Sequence, residues 1–317
     1  VKALPTIKRS KYNKTDSEME EKINPENLKL WRKYEQDMTM RELSPKSIYQ
    51  YKRDIMQWLS YLVEFQFNPV ITDVTDDDIE EFIFWCKQNG NNVERIKRRL
   101  SSISAFYIYL RRKKLCQENP CEFIVRPKRG LPVVVQTFLT EQQYEQMKQA
   151  LKDNGDLQLE TYARLSIDTM ARVNAVSSLR WEQIDFEHRT IEDVLEKERK
   201  IVTLYFSEET KELLLKLKAQ RETDGIDNPY IFLASSGTQA SVQTLTEWCR
   251  KVGKLIGIDT LHPHDFRHSG SQLMNLKGAP IELISELLSH SSLTVTKEHY
   301  LKIDKAKMMR QKDLYQI

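Results

Sequence analysis

The stretch His264-Asp-Phe-Arg267-His268-Ser269, followed by Leu287-Leu-Ser-His290-Ser-Ser-Leu-Thr-Val-Thr296 and then Tyr300, decides how the rest of the chain is read. Five of the six histidines fall between His262 and His299, a small part of a 317-residue chain. Such clustering, interleaved with arginine and tyrosine, points to a chemical site. The four cysteines, Cys86, Cys116, Cys121 and Cys249, show neither C-x-x-C spacing nor nearby histidines, which argues against zinc sites and a disulfide framework and leaves them as reduced thiols.

At roughly 150 residues per domain, a chain of this length is expected to build two cores. Charged residues make up 30% of it and the mean hydropathy is −0.58. No apolar run approaches the ~18 residues of a membrane span, so a soluble protein with no membrane partner, staying in the cytoplasm, is expected. The opening residues VKALPTIKRSKYNK are basic without an apolar stretch and do not read as a secretory signal.

The net charge of +3 is unevenly spread. Residues 1–136 hold 25 basic against 19 acidic side chains, whereas residues 137–317 hold 24 against 27. Between Arg95 and Arg129 there are eleven basic residues and two acids, Glu118 and Glu122. An excess of this size in a folded segment suits a phosphate-binding surface, although a solvated helix face has the same composition. Arg95, Lys97, Arg98, Arg99, Lys128 and Arg129 are its candidate DNA contacts.

Residues 1–26 read as a flexible arm. Helical spacing then begins, with Leu28, Trp31, Tyr34 and Met38 on one face. Ser44-Pro45 opens a second helix carrying Ile48, Tyr51, Ile55, Trp58, Leu59 and Leu62, and Thr75-Asp-Asp-Asp78 caps a third. Asn89-Gly-Asn-Asn92 ends the third, and a fourth from about Val93 turns Ile96, Leu100, Ile103, Phe106, Tyr107 and Leu110 inward. The same spacing places Arg95, Lys97, Arg98 and Arg99 largely outward. Residues 27–125 are therefore expected to form one helical domain whose basic face would clamp DNA. The Pro- and Gly-rich stretch 126–136 is the expected linker, and 137–317 the second domain. In that domain Thr140-Glu-Gln-Gln143 has the form of a capping box, a long helical stretch spans Tyr162–Leu179, and strand-like runs follow at Arg189–Leu195 and Lys200–Phe206.

The order H-x-x-R, downstream His and Tyr resembles the second signature block of the tyrosine recombinase, or phage integrase, family. The resemblance implies an earlier arginine just before a Leu-x-W-x-x-Ile-Asp segment; Arg172 in Thr169-Met-Ala-Arg-Val173 meets it, upstream of Leu179-Arg-Trp-Glu-Gln-Ile-Asp185. It also implies a lysine in a hairpin roughly two dozen residues on, for which Lys197 and Lys200 are both candidates. In the first domain Ser44-Pro-Lys-Ser-Ile-Tyr-Gln-Tyr51, Arg98-Arg-Leu-Ser-Ser-Ile103 and Asn119-Pro120 match the family's core-binding domain. The implied architecture is mainly α with a small β-sheet: a helical core-binding (SAM-like) domain followed by a catalytic-type domain.

The resemblance implies roles as well. Tyr300 would attack a DNA phosphate to form a 3′-phosphotyrosyl link, Arg172 and Arg267 would hold the phosphate, His264 and His290 would hydrogen-bond or move the tyrosine proton, and Lys197 would protonate the leaving oxygen. This chemistry requires no metal and no cofactor. The implied partner is double-stranded DNA with a specific site, bound by two or four copies of the chain and with no small-molecule substrate. Read alone, Arg172 could be a structural ion-pair partner, and Glu196-Lys-Glu-Arg-Lys200 reads as a solvated turn. His268 and His299 suit packing better than catalysis.

Three positions depart from the family pattern. A glycine is usual two residues before the first arginine and a glutamate three after it, where this chain has Met170 and Ala175; the glycine before the second histidine is Ser289. Two functions therefore stay open: an active recombinase of a phage or mobile element, and a DNA-binding phage repressor that keeps the fold without the reaction. A type IB topoisomerase shares the chemistry but fits the short chain poorly.

Overall fold

The computed structural model describes residues 17–128, 138–196 and 200–289. It divides into two compact units, 1–133 and 134–317.

The first unit begins earlier than the arm suggested by its polar sequence. Helix α1 (Ser17–Lys22) runs into Ile23, which is buried. The Asn68 side chain ties this entry down, donating to the Lys22 carbonyl and accepting from the Asn24 backbone N–H. One apolar anchor and a local hydrogen-bond clasp suffice to order a segment with no periodicity of its own. Helices α2 (Pro25–Met40), α3 (Pro45–Phe65), α4 (Asp76–Gln88) and α5 (Val93–Arg112) follow. Asn24, Ser44, Thr75 and Asn92 cap their N-termini, Thr75 and Asp78 reciprocally as a capping box. Their inward stripes merge in one core, where Trp31, Tyr34 and Phe106 pack ring to ring and Trp58 meets Tyr107.

The second unit is arranged around α7 (Leu157–Thr169), packed against α6 (Glu141–Asn154), α9 (Glu208–Thr223), α10 (Val242–Leu255) and α11 (Pro263–Leu276). Thr140 and Gln143 form the expected capping box of α6. Tyr162 sits at the centre of the core, its ring edge-on to Phe232, Trp248 and Phe266. An antiparallel sheet of β1 (Ile184–Asp185), β2 (Thr190–Leu195) and β3 (Ile201–Tyr205) lies in that order, with an irregularity between Ile191 and Val194. Helix α12 (Ile281–Leu287) closes the described chain.

The single long helix expected over Tyr162–Leu179 is in fact two. Met170 takes a left-handed conformation, φ 52°, ends α7, and turns the chain so that Arg172 becomes the N-cap of α8 (Val173–Ser178). Apolar periodicity cannot register this break, because Met170 and Ala171 are themselves buried. Close approach stabilises the turn from the other side. A Cβ on Gly270 of α11 would lie 2.1 Å from the Ile167 carbonyl oxygen and 2.6 Å from Met170 Cγ, so only glycine lets the two helices meet there.

Candidate active site

Arg267 lies in the second turn of α11 and is 1% exposed, an unusual position for a guanidinium. Its Nη1 donates to the Met170 carbonyl at 2.6 Å and its Nη2 to the Leu288 carbonyl at 2.5 Å. Met170 and Leu288 are the C-terminal caps of α7 and α12. One buried cation thus serves the negative ends of two helices, where orphan carbonyls and the helix dipole both favour positive charge.

The residues following these carbonyls lead into the site. Arg172 stands two positions after Met170, and Ser289, the residue after Leu288, also has a left-handed backbone at φ 52°. Met170 and Ser289 are the two positions at which the family pattern has glycine. The backbone shape that glycine adopts without steric cost is therefore kept here by side-chain-bearing residues. Met170 compensates by burial, its side chain packing with Ile284 and Leu288.

Glu196, the residue after β2, brings the two arginines to one point. Its Oε2 is ion-paired with Nη1 of Arg172, and its Oε1 lies 3.8 Å from Nη1 of Arg267. The Glu196 side chain is 2% exposed and that of Arg172 is 30% exposed, so the cluster opens to solvent on the Arg172 side. Two guanidiniums sharing the two oxygens of one anion form a site built for a doubly contacted oxyanion.

His264, in the first turn of α11, is exposed at the edge of this cluster, its ring 5.8 Å from that of His268 one turn on. Desolvation, then the Arg267, His262 and Arg172 cations, hold its imidazole below the ordinary range. It is therefore neutral at pH 7 and can both donate and accept a hydrogen bond. His262 caps α11, its backbone N–H and ring Nδ1 both 3.0 Å from Asp265 Oδ2.

Arg172, Arg267 and His264 are thus brought together from parts of the sequence far apart. Lys200 is exposed, and its carbonyl accepts from the Glu196 N–H at 2.8 Å across the hairpin. Lys197, His290, Tyr300 and Arg129 lie outside the described residues. Glu196 was missed in the sequence because Glu196-Lys-Glu-Arg-Lys200 has the composition of a solvated turn. Strand alternation held the signal: Val194 and Glu196 share the inward face while Leu195 points out.

On the first unit the basic stripe needs correcting. Arg95 and Lys128 are exposed and Lys97 half-buried, as an outward face requires. Arg99, expected outward, is instead 5% exposed, and its Nη1 donates to Cys86 Sγ at 3.2 Å. Arg99 stands three residues after Ile96 and four before Ile103, both buried, so the 3.6-residue turn brings it onto their inward face. Arg98 is half exposed but forked onto the buried Asp54 at 2.8 and 3.1 Å, with Ser102 donating to the same carboxylate. A cavity of about 1210 Å³ also lies in this unit, lined by Phe65, Phe84, Trp85 and Lys128 among others.

Residues 137–307 match the family model described as phage integrase family, and residues 32–114 match the phage integrase N-terminal SAM-like domain. The chain belongs to the phage integrase family. Among relatives of this integrase-family chain, a protein named tyrosine recombinase from Pseudothermotoga lettingae is 28% identical over 281 residues, covering 85% of this chain and 92% of that one. Solved structures that share the fold include two DNA-bound recombinases. The XerH site-specific recombinase bound to a palindromic difH substrate, a post-cleavage complex, aligns at TM-score 0.72 with 16% identity over 87% of this chain and 82% of its own. A lambda integrase dimer bound to a COC′ core site aligns at TM-score 0.67 with 17% identity over 87% and 79%.

Proposed function

We propose that this integrase-family chain is a site-specific tyrosine recombinase of a phage or mobile element, acting on double-stranded DNA in the bacterial cytoplasm. The observation that carries the reading is the convergence of Arg172 and Arg267 on a single carboxylate, beside the neutral His264. Two fixed guanidiniums can hold the two non-bridging oxygens of a phosphodiester, and their charge rises in value as negative charge builds on those oxygens during attack.

In this mechanism the Tyr300 hydroxyl oxygen attacks phosphorus and the bond from phosphorus to the 5′ oxygen breaks. The departing oxygen takes a proton from Lys197, or from Lys200 as the other candidate. The 3′-phosphotyrosyl link keeps the bond energy, and attack by a 5′ hydroxyl reverses the step. His264 and His290 hydrogen-bond the phosphate or relay the tyrosine proton. Exposed Arg95 and Lys128, with half-buried Lys97, contact the DNA backbone, and two or four copies assemble on the site, in keeping with the lambda integrase dimer on its core site.

The second reading, a repressor that uses the fold for occupancy alone, is favoured by one observation: Glu196 sits on the arginines that phosphate would need. A nicked suicide substrate separates the two. The recombinase leaves a protein–DNA adduct that survives denaturation and is lost in Tyr300→Phe; tight sequence-specific binding with no adduct from the parent leaves the repressor.

A further inference from the structure

We propose that Glu196 is an internal counter-anion seated in the phosphate position, so that Glu196 and a phosphate compete for Arg172 and Arg267. This rests on the reading of those two arginines as the phosphate clasp. Each Glu196 oxygen faces a different guanidinium, the arrangement that the two non-bridging oxygens of a phosphodiester would take. Carboxylate and phosphodiester also carry the same single charge. Arg267 is 1% exposed, and two of its donor contacts go to the Met170 and Leu288 carbonyls. A phosphate that reaches both arginines therefore takes the place of the Glu196 carboxylate.

Charge balance explains why the carboxylate is there. Two guanidiniums held at one point repel each other unless an anion lies between them. Residue 175, which the family pattern gives to glutamate, is here a fully buried alanine in the apolar core. Glu196 supplies the missing negative charge from the hairpin, but from a place where it faces both arginines. The bound anion must leave before another enters, so the free protein holds its clasp closed to stray anions and DNA binding has to displace a carboxylate.

Sulfate is the probe, because it keeps its charge across neutral pH and needs neither DNA nor Tyr300. Sulfate affinity of the full chain is measured by calorimetry, with sodium chloride holding ionic strength constant, for the parent, Glu196→Gln and the double variant Arg172→Ala with Glu196→Gln. Glu196→Gln keeps the side-chain shape and removes the competing charge, so it binds sulfate about tenfold more tightly than the parent. The added Arg172→Ala abolishes that gain. Equal or weaker sulfate binding by Glu196→Gln overturns the proposal and makes Glu196 a residue that only orients the arginines. If Glu196→Gln fails to fold, Glu196→Asp withdraws the carboxylate by one methylene and still tightens sulfate binding; no gain there is equally fatal. A parent that forms no covalent adduct while Glu196→Gln gains sulfate affinity removes recombination and leaves the competition standing.

Discussion

Gly270→Ala is the smallest change that tests how the site is assembled. The added methyl carbon would lie 2.1 Å from the Ile167 carbonyl oxygen, 2.6 Å from Met170 Cγ and 3.2 Å from the Ile167 carbonyl carbon. The Met170 side chain can shift, but the Ile167 carbonyl is backbone of the last turn of α7 and cannot turn away without distorting that turn. Helices α7 and α11 must therefore separate by about 1 Å to reach ordinary contact distance. Overpacking of this kind costs about 1–3 kcal/mol. Separation also stretches the 2.6 Å bond from Arg267 to Met170, a charge-assisted bond whose loss adds roughly 1.5–3 kcal/mol. Alanine's better helix propensity returns about 1 kcal/mol. The net expectation is a loss of roughly 2–5 kcal/mol in the second unit, or about 4–20 °C in its melting temperature. Thermal and urea unfolding of the full chain, followed by near-ultraviolet circular dichroism, measures it. A variant within about 0.5 kcal/mol of the parent would refute the close-approach argument, and with it the claim that Arg267 is held by both helix ends.

Other outcomes follow from neighbouring residues. Reversing charge at Arg95 and Lys97 should weaken binding to every DNA sequence and lower the slope of log affinity against log salt by about 2, read from filter binding across a salt series. Arg98→Glu should instead destabilise the first unit by roughly 3 kcal/mol, because Asp54 stays buried and loses its forked partner; an unchanged urea midpoint would show that the pair contributes nothing. For His264 the folded imidazole lies below its unfolded value, so the unfolded chain binds more protons as the solution is acidified. Its contribution to stability is complete above about pH 6.5 and is lost as pH falls toward the lowered value; an NMR titration midpoint at or above 6.5 contradicts the placement of the cations around it.

The helices of the first unit were legible because their buried faces are large and regular. Trp58, Leu59 and Leu62, or Ile103, Phe106 and Leu110, leave little freedom about which side turns inward. Caps such as Ser44 and Thr75 were legible for the same local reason. Arg99 was not, because a long polar side chain carries no mark of whether it ends in water or on Cys86. In the second unit, His264 and Arg267 could be paired from their spacing and Arg172 from its flanking motif. Their meeting with Glu196 depends on a tertiary contact between a hairpin and two helix ends, and no local pattern encodes that. Composition even argued against it, since the turn around Glu196 is rich in charge.

The departures from the family pattern take on a different meaning once the backbone is seen. A methionine and a serine in place of glycine suggest a pocket of altered shape, yet Met170 and Ser289 both hold a left-handed backbone at φ 52°. Each such residue costs on the order of 1 kcal/mol, and the cost must be offset by something that requires the conformation. Arg267 supplies the requirement, since it donates short bonds to the carbonyls of Met170 and of Leu288 just before Ser289. Relaxing either turn would take from a buried guanidinium one of its carbonyl acceptors, a loss larger than the strain relieved. Glycine-like geometry is thus retained by electrostatics where glycine itself has been replaced. What has changed in this site is its charge: the apolar Ala175 and the inward Glu196 move the negative partner of the arginines from beside Arg172 to between Arg172 and Arg267. Backbone shape and charge placement can therefore vary independently here, and only the second distinguishes a clasp ready for phosphate from one that phosphate must first empty.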